Sequence, residues 1–250
     1  MNKSLLRIFA LTNRNIKEIL RDPLSLVFTI LLPLVMEIMF YFTFHNLTSQ
    51  FEMKYLAPSI VVFSQSFLTL FSGLLISLDR NTSFLTRLYV SKVKSYEFIV
   101  SYVLSVMPIA LIQSILFFLV GGIIENSLFT INIISAIGLS LFTSVFFISL
   151  GILFGSICNE KSIGGISSIA IVGQSVLSGM WFPVDGLSNT FIKIMKILPF
   201  KNSTQIVQSV FIKDSLNFEN FTMPLIIVLS YTIIVLISAI LCFRKNMNEK

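Results

Sequence analysis

The sequence predicts an all-α integral membrane protein with six transmembrane helices, an amphipathic helix ahead of them, and a re-entrant outer hairpin between spans five and six. Three observations carry that expectation. Charged residues are 12% of the chain against 55% hydrophobic, with a mean hydropathy of +0.89; a soluble domain carries about 25% charge. The apolar residues gather into runs long enough to cross a hydrocarbon core of ~30 Å. One run is broken: it reaches Gly179, carries the only Trp, Trp181, passes Phe182 and stops at Pro183. Irregular backbone at membrane depth is tolerated only where protein or a water-filled cavity covers it.

The elements follow in order. Residues 2–21 form an amphipathic helix, with Leu5, Ile8, Phe9, Thr12, Ile16, Ile19 and Leu20 on one face and Lys3, Arg7, Arg14, Glu18 and Arg21 on the other. A basic helix of this kind lies in the headgroup plane; the alternative is an ordinary cytosolic helix. Asp22-Pro23 separates it from span one, Asp as cap and Pro at the first helical position. Spans are expected at 24–44, 57–77, 98–124, 131–157, 162–182 and 223–243, with Pro33 and Pro108 inside the first and third. A charged loop, 79–97, joins spans two and three. The hairpin covers 178–200, between the break at Gly179 and Pro199, and a polar segment from Lys201 to Thr222 leads to span six. The whole chain, 1–250, reads as one membrane domain with no room for a soluble catalytic one.

Six spans put both termini on one side. That side holds Lys3, Arg7, Arg14, Lys17, Arg21, Arg80, Arg87, Lys92, Lys94, Lys161, Arg244, Lys245 and Lys250. The other holds Lys54, Lys193, Lys196, Lys201 and Lys213. The positive-inside rule places the larger set, and both termini, in the cytosol. Four of the five outer lysines cluster after span five, which sits uneasily with that rule. The net charge of +6 is thus a matter of topology and gives no argument for nucleic acid. Cys158 and Cys242 both fall near cytosolic span ends, where reduced thiols are expected. Charge throughout the first 23 residues leaves no signal-peptide core.

The chemistry is sparse. No phosphate-loop motif is present, so ATP is not bound by that route. There is a single His, His45, and neither His-Glu-x-x-His nor Cys-x-x-Cys. No catalytic residue and no metal site is assigned, and no cofactor is expected on this chain. Glu37 is the one acid inside an apolar span; it either takes a proton or a cationic substrate, or snorkels or pairs across a subunit interface. Gln65, Gln113 and Gln174 either hydrogen-bond between helices or line a passage. Gly151 and Gly155 form a Gly-x-x-x-Gly pair, and span five is rich in small residues, Ser162, Gly164, Gly165, Ser167, Ser168, Ala170, Gly173 and Ser175. Both features allow close approach of another helix, in this chain or in a partner. In the inner loop, Leu85, Leu88 and Tyr89 share a helical face while Arg80 and Arg87 remain available, which reads as a docking element or as a solvated positive loop.

Three features together resemble the type-2 ATP-binding-cassette exporter permeases, which serve drug, antibiotic and polysaccharide export. The first is the basic amphipathic helix leading to Asp22-Pro23. The second is the loop from Asp79 to Lys92, where Asp79, Arg80, Leu85, Arg87, Leu88 and Ser91 match the family pattern, while Asn81, Ser83 and Lys92 replace its usual Glu, Gly and Pro. The third is Leu177-Ser178-Gly179-Met180-Trp181-Phe182-Pro183 with Leu198-Pro199-Phe200. The resemblance implies a permease subunit in a bacterial plasma membrane, paired with a second copy or a paralogue. Each permease would be served by a separate ATPase subunit that holds ATP and Mg. It also implies that the matched loop residues couple to the ATPase and that Gly179, Trp181, Phe182, Pro183 and Pro199 form an outer gate. A drug or antimicrobial-peptide exporter is preferred to a polysaccharide exporter, since the short outer loops offer no sugar-binding domain. A proton-coupled carrier would call for inverted repeats and several intramembrane acids. A non-transporting scaffold or immunity protein stands as a further alternative.

Overall fold

The computed structural model describes residues 3–81, 93–130, 132–182, 186–212 and 218–248. Helices α1 Lys3–Ile19, α2 Pro23–Phe44, α3 Met53–Asn81 and α4 Ser95–Ile124 come first. They are followed by α5 Asn132–Ile157, α6 Glu160–Leu177, α7 Asn189–Ile197, α8 Pro199–Gln208 and α9 Met223–Asn248. No strand occurs among the described residues. Among the described residues five segments are long and apolar enough to cross a membrane: Leu26–Phe44, Met53–Arg80, Ser95–Ile124, Asn132–Ile157 and Glu219–Arg244. The predicted fifth span corresponds to α6, which has 18 residues and stops at Leu177 rather than Phe182. Its Gly, Ser, Glu and Lys content keeps it below the others in hydropathy.

Helix α3 is the axis of the bundle. Most of it is buried, and α2, α4, α5, α6 and α8 pack around it. In contrast α2 and α9 bury little of their surface and present Val27, Phe28, Leu31, Val35 and Phe42, or Ile226, Ile233, Ile234 and Ile237, outward. With lipid as the surrounding solvent, that inversion of the soluble pattern is what hydrophobic surface favours.

Small residues set the central contact. A Cβ on Gly151 would come within 2.2 Å of the Thr69 carbonyl oxygen, and one on Gly155 within 2.5 Å of the Gly73 carbonyl oxygen. The Gly-x-x-x-Gly pair is therefore the groove in α5 that admits the backbone of α3, a close-packing device of membrane helices. Polar side chains cross the same contact. Thr69 Oγ1 donates to the Phe147 carbonyl at 3.1 Å, and Ser72 Oγ to that of Ile148 at 3.1 Å.

The bundle has two ends. At one, α1 lies along the start of α4, and Phe98 stacks on Phe243 near the end of α9 with centroids 4.5 Å apart. At the other are the α2–α3 connection with its 3-10 turn Ser49–Phe51, the break after α6, and helices α7 and α8. The stretch expected as a polar segment after Lys201 begins as α8, whose Asn202, Ser203, Thr204, Ile206 and Val207 are buried. Pro199 opens that helix at its first turn, where a missing N–H removes no helical bond.

Candidate functional site

At the α1 end, the two stems of the segment 82–92 are held by α1. Asp79, near the end of α3, is 3% exposed. It accepts from both terminal nitrogens of Arg14, with Nη2 at 2.5 Å from Oδ1, and from the Tyr102 hydroxyl on α4. Planar two-point pairing of this kind is stronger and more directional than a single bond. Burial works against the Arg14 charge, but the hydrogen bond and the charge of Asp79 outweigh it and hold its pKa above the ordinary guanidinium value. On the far stem, Glu97 closes the first turn of α4 by accepting from the Lys94 amide at 3.0 Å. The same carboxylate takes the Ser4 hydroxyl at 2.5 Å and lies 3.6 Å from Arg7 Nη1. One amphipathic helix thus grips the end of α3 and the start of α4 through its polar face.

Arg80 turns the other way. Its Nη1 donates to the carbonyls of Gly155 at 2.9 Å and Cys158 at 3.2 Å. The last carbonyls of a helix have no intrahelical donor and carry the negative end of its dipole, so Arg80 finishes α5 while anchoring the end of α3. The other expected coupling residues, Leu85, Arg87, Leu88 and Ser91, lie outside the described residues.

At the opposite end, α6 ends at Leu177, and Gly179 takes φ 73°, a left-handed conformation that favours glycine. Gln50, from the 3-10 turn before α3, donates through Nε2 to the carbonyls of Gly179 at 3.2 Å and Phe182 at 2.7 Å. These carbonyls lie in non-helical backbone, so the side chain supplies the partner that helical continuation would have given. Trp181 bonds Ser175 Oγ through its indole N–H at 2.7 Å. Its ring packs on Phe40 of α2, with centroids 4.6 Å apart, and edge-on to Phe63 of α3 at 5.9 Å. Phe200, the residue after Pro199, fits against Gly173, where an added Cβ would meet its ring at 3.0 Å. Gly179, Trp181, Phe182 and Pro199 are thus brought to one end of the bundle; Pro183 lies outside the described residues.

Between the ends, the expected polar residues are all buried. Gln65 Nε2 donates to the Ser140 carbonyl at 2.9 Å, and its Oε1 accepts from Thr143 at 2.9 Å. Gln174 donates to Thr204 Oγ1 at 2.8 Å, tying α6 to α8. Gln113 donates to the Thr29 carbonyl at 3.1 Å. That oxygen is four residues before Pro33, which has no N–H to offer it, so Gln113 supplies the donor the proline removes. Glu37, one turn later, is fully buried; its carboxylate has no hydrogen-bond partner among the described residues, and a Cβ on Gly121 of α4 would lie 3.2 Å from Oε1.

Sequence reasoning missed three contributors. Arg14 and Glu97 were visible only as charges on amphipathic or loop segments, and Gln50 as a polar loop residue. The only signals were a charge on the polar face of the amphipathic helix for Arg14 and, for Glu97, its place as the last residue of the charged loop already singled out. No group of His, Cys, Asp and Glu among the described residues could hold a metal ion.

Comparison with family models matches residues 7–212 to the membrane domain of ABC-2 type transporters. The match runs from α1 through α8 and includes both the 82–92 segment and the break at Gly179. No curated protein matches the chain.

Proposed function

The chain belongs to the ABC-2 type transporter family, and we propose that it is the membrane-spanning permease subunit of an ATP-driven exporter, moving an amphipathic drug or antimicrobial peptide outward. A membrane domain of this family is a transmembrane component without the ATPase site. ATP and Mg would be held by a separate ATPase subunit, one for each of two permeases in the complex. The six-span reading places both termini in the cytosol of a bacterial plasma membrane.

The observation that carries this reading is the double hold of α1 on the stems of 82–92, through Asp79 and Glu97. A ligand shifts a conformational equilibrium only by its differential affinity for the two states. ATP bound elsewhere must therefore act through a mechanical contact, and a loop with both stems anchored transmits displacement to α3 and α4 together. Leu85, Arg87, Leu88 and Ser91 would meet the ATPase, while Asp79 and Arg80, turned into the protein, would position the loop. At the other end, Gly179, Trp181, Phe182, Pro183 and Pro199 would form a re-entrant hairpin that closes the exit. Gln65, Gln113 and Gln174 satisfy groups between helices, which supports a framework role within one chain. A conduit would then run between two permeases, along α2 and the small-residue face of α6.

The test is purification of the tagged chain from its native membrane in mild detergent, with identification of co-purifying proteins and assay of ATP hydrolysis. An ATPase subunit should accompany the wild type and be lost from Arg87→Glu and Leu88→Asp variants that still insert. A chain that purifies alone under several detergents, with no ATPase activity, would overturn the reading.

A further inference from the structure

Glu37 is the one acid that the sequence places inside an apolar span, and its surroundings in the structure choose among its readings. It lies near the Gly179 end of the bundle, where α3 and α4 close over α2, and none of the residue is exposed. A residue buried within its own chain neither snorkels to the interface nor faces a second subunit. Both carboxylate oxygens are without a hydrogen-bond partner among the described residues. The space beside them is closed as well. A Cβ added to Gly121 of α4 would lie 3.1 Å from Ala57 Cβ on α3, 3.2 Å from Glu37 Oε1 and 3.3 Å from Leu128 Cδ1. Helices α2, α3 and α4 thus meet at the carboxyl around a gap smaller than a methyl group. The other titratable groups at this end of the packed elements are Glu52, Lys54 and Tyr55 at the start of α3, Glu125 after α4, and Tyr41 and His45 further along α2. Glu52 pairs with Lys54 at 2.6 Å, and Glu125 takes the Met53 amide at 3.3 Å and the Ser127 hydroxyl at 2.7 Å. None of the six bonds to Glu37.

We propose that Glu37 is a proton-binding site, held as the neutral acid, and that its proton keeps α2 seated against α3 and α4. Two arguments select the proton as ligand. An ionised carboxylate taken out of water without a partner is so costly that the group takes up a proton instead. Any larger cation needs ligands or room. A hard metal ion such as calcium takes about six to eight oxygens, whereas the carboxyl meets the carbon atoms of Ala57 and Leu128 at Gly121. An organic cation needs more than the gap there. Helix α2 is the element that this proton holds, because little of its surface is buried and its contacts are chiefly with α3 and α4. Loss of the proton leaves an unpaired charge inside that contact, and water must enter beside α2 to solvate it. In the proposed complex α2 lines the conduit, so proton release would loosen that wall; the site itself does not rest on the exporter reading.

The test is infrared difference spectroscopy of the full chain in mild detergent at neutral pH, wild type minus Glu37→Gln. The difference should contain the carbonyl band of a protonated carboxylic acid, shifted in heavy water. Glu125→Gln should keep that band, and millimolar sodium or calcium should leave it in place. If Glu37→Gln does not fold, Glu37→Leu serves for the subtraction. Stability supplies a second readout. The unfolded chain releases this proton above about pH 4.3, whereas the folded chain keeps it. The folding equilibrium constant of the wild type, relative to Glu37→Gln, should therefore fall about tenfold per pH unit above that value, until the folded chain also releases the proton. At alkaline pH, α2 amides should exchange hydrogen faster in the wild type than in Glu37→Gln. Absence of the band, its loss in Glu125→Gln or on adding sodium or calcium, or parallel pH profiles of wild type and Glu37→Gln would each overturn the site. Equal exchange of α2 in the two proteins would overturn its hold on that helix. None of these readouts involves ATP, so the exporter reading stands or falls separately.

Discussion

Asp79 shows how one residue can be read correctly for its place and only partly for its contact. The sequence marks it as the first member of a loop motif; the fold buries it under Arg14 and the Tyr102 hydroxyl. Removing one partner of a buried ion pair leaves an uncompensated charge, which costs more than the pair contributes. Arg14→Ala should therefore destabilise the purified chain by about 3 kcal/mol, and Asp79→Asn by less, because Arg14 is a third exposed and can turn to solvent. A double-mutant cycle read by denaturant unfolding in detergent should give a coupling of about 2 kcal/mol. Additive single effects would mean that α1 merely rests on α3. Gln113 makes a second residue-level case. Since it supplies the donor missing at Pro33, Gln113→Leu should cost about 2 kcal/mol, whereas Pro33→Ala in that background should restore much of the loss by returning an N–H to the Thr29 carbonyl. Absence of rescue would separate the two residues. Both cases explain what was hard to read: hydrogen-bonding residue types are visible in a sequence, but the identity of the partner is set by a helix 65 or 84 positions away.

At the scale of elements, helix-forming runs and their breaks were largely legible, because apolar length and Pro or Gly placement act locally. The α2 start at Pro23, the ends of α4 and α5 and the break near Gly179 fall where the residues direct. Two elements resisted. Helix α8 has polar residues on its buried face, which bond neighbouring backbone and side chains, so hydropathy alone makes it look like a loop. Helix α6 ends early because Gly179 adopts a left-handed turn secured by Gln50, a residue 129 positions away. Glycines separate the contacts that shape the bundle from those left open. Gly151→Leu or Gly155→Leu should abolish folded protein, since the new side chain meets α3 backbone that cannot withdraw. Gly164 and Gly165 face nothing within 4 Å, so Gly164→Leu should leave folding and thermal stability close to wild type. If that face meets a second permease, the same change should convert dimer to monomer in light scattering; an unchanged dimer would move the interface elsewhere. Gly179→Leu together with Pro183→Leu should straighten the break and block export, and wild-type efflux would remove the gate role.

For the whole molecule the deciding question is whether α6 crosses the membrane, because five crossings place the termini on opposite sides and six on the same side. The contacts at its two ends bear on this directly. Just before α6, the Cys158 carbonyl receives Arg80 from the end of α3. Just after it, the Gly179 carbonyl receives Gln50 from the turn before α3. Helix α3 is long and apolar enough to cross, so under the proposed topology a segment that meets both of its ends would traverse the same thickness. At 1.5 Å per residue its 18 residues reach about 27 Å, close to a hydrocarbon core of ~30 Å. Its modest hydropathy is tolerable because α3, α5 and α8 cover one face and, in the proposed complex, a second permease covers the other. The check is single-cysteine labelling in intact cells, after Cys158 and Cys242 are replaced by Ser. A membrane-impermeant maleimide should label cysteine placed at Ser127 or Gly186 without lysis, and at Asn159 only after lysis. Equal labelling at Asn159 and Gly186 would make α6 a surface helix, move the C-terminus to the other side, and leave the basic tail of α9 without the cytosolic placement that its charge favours.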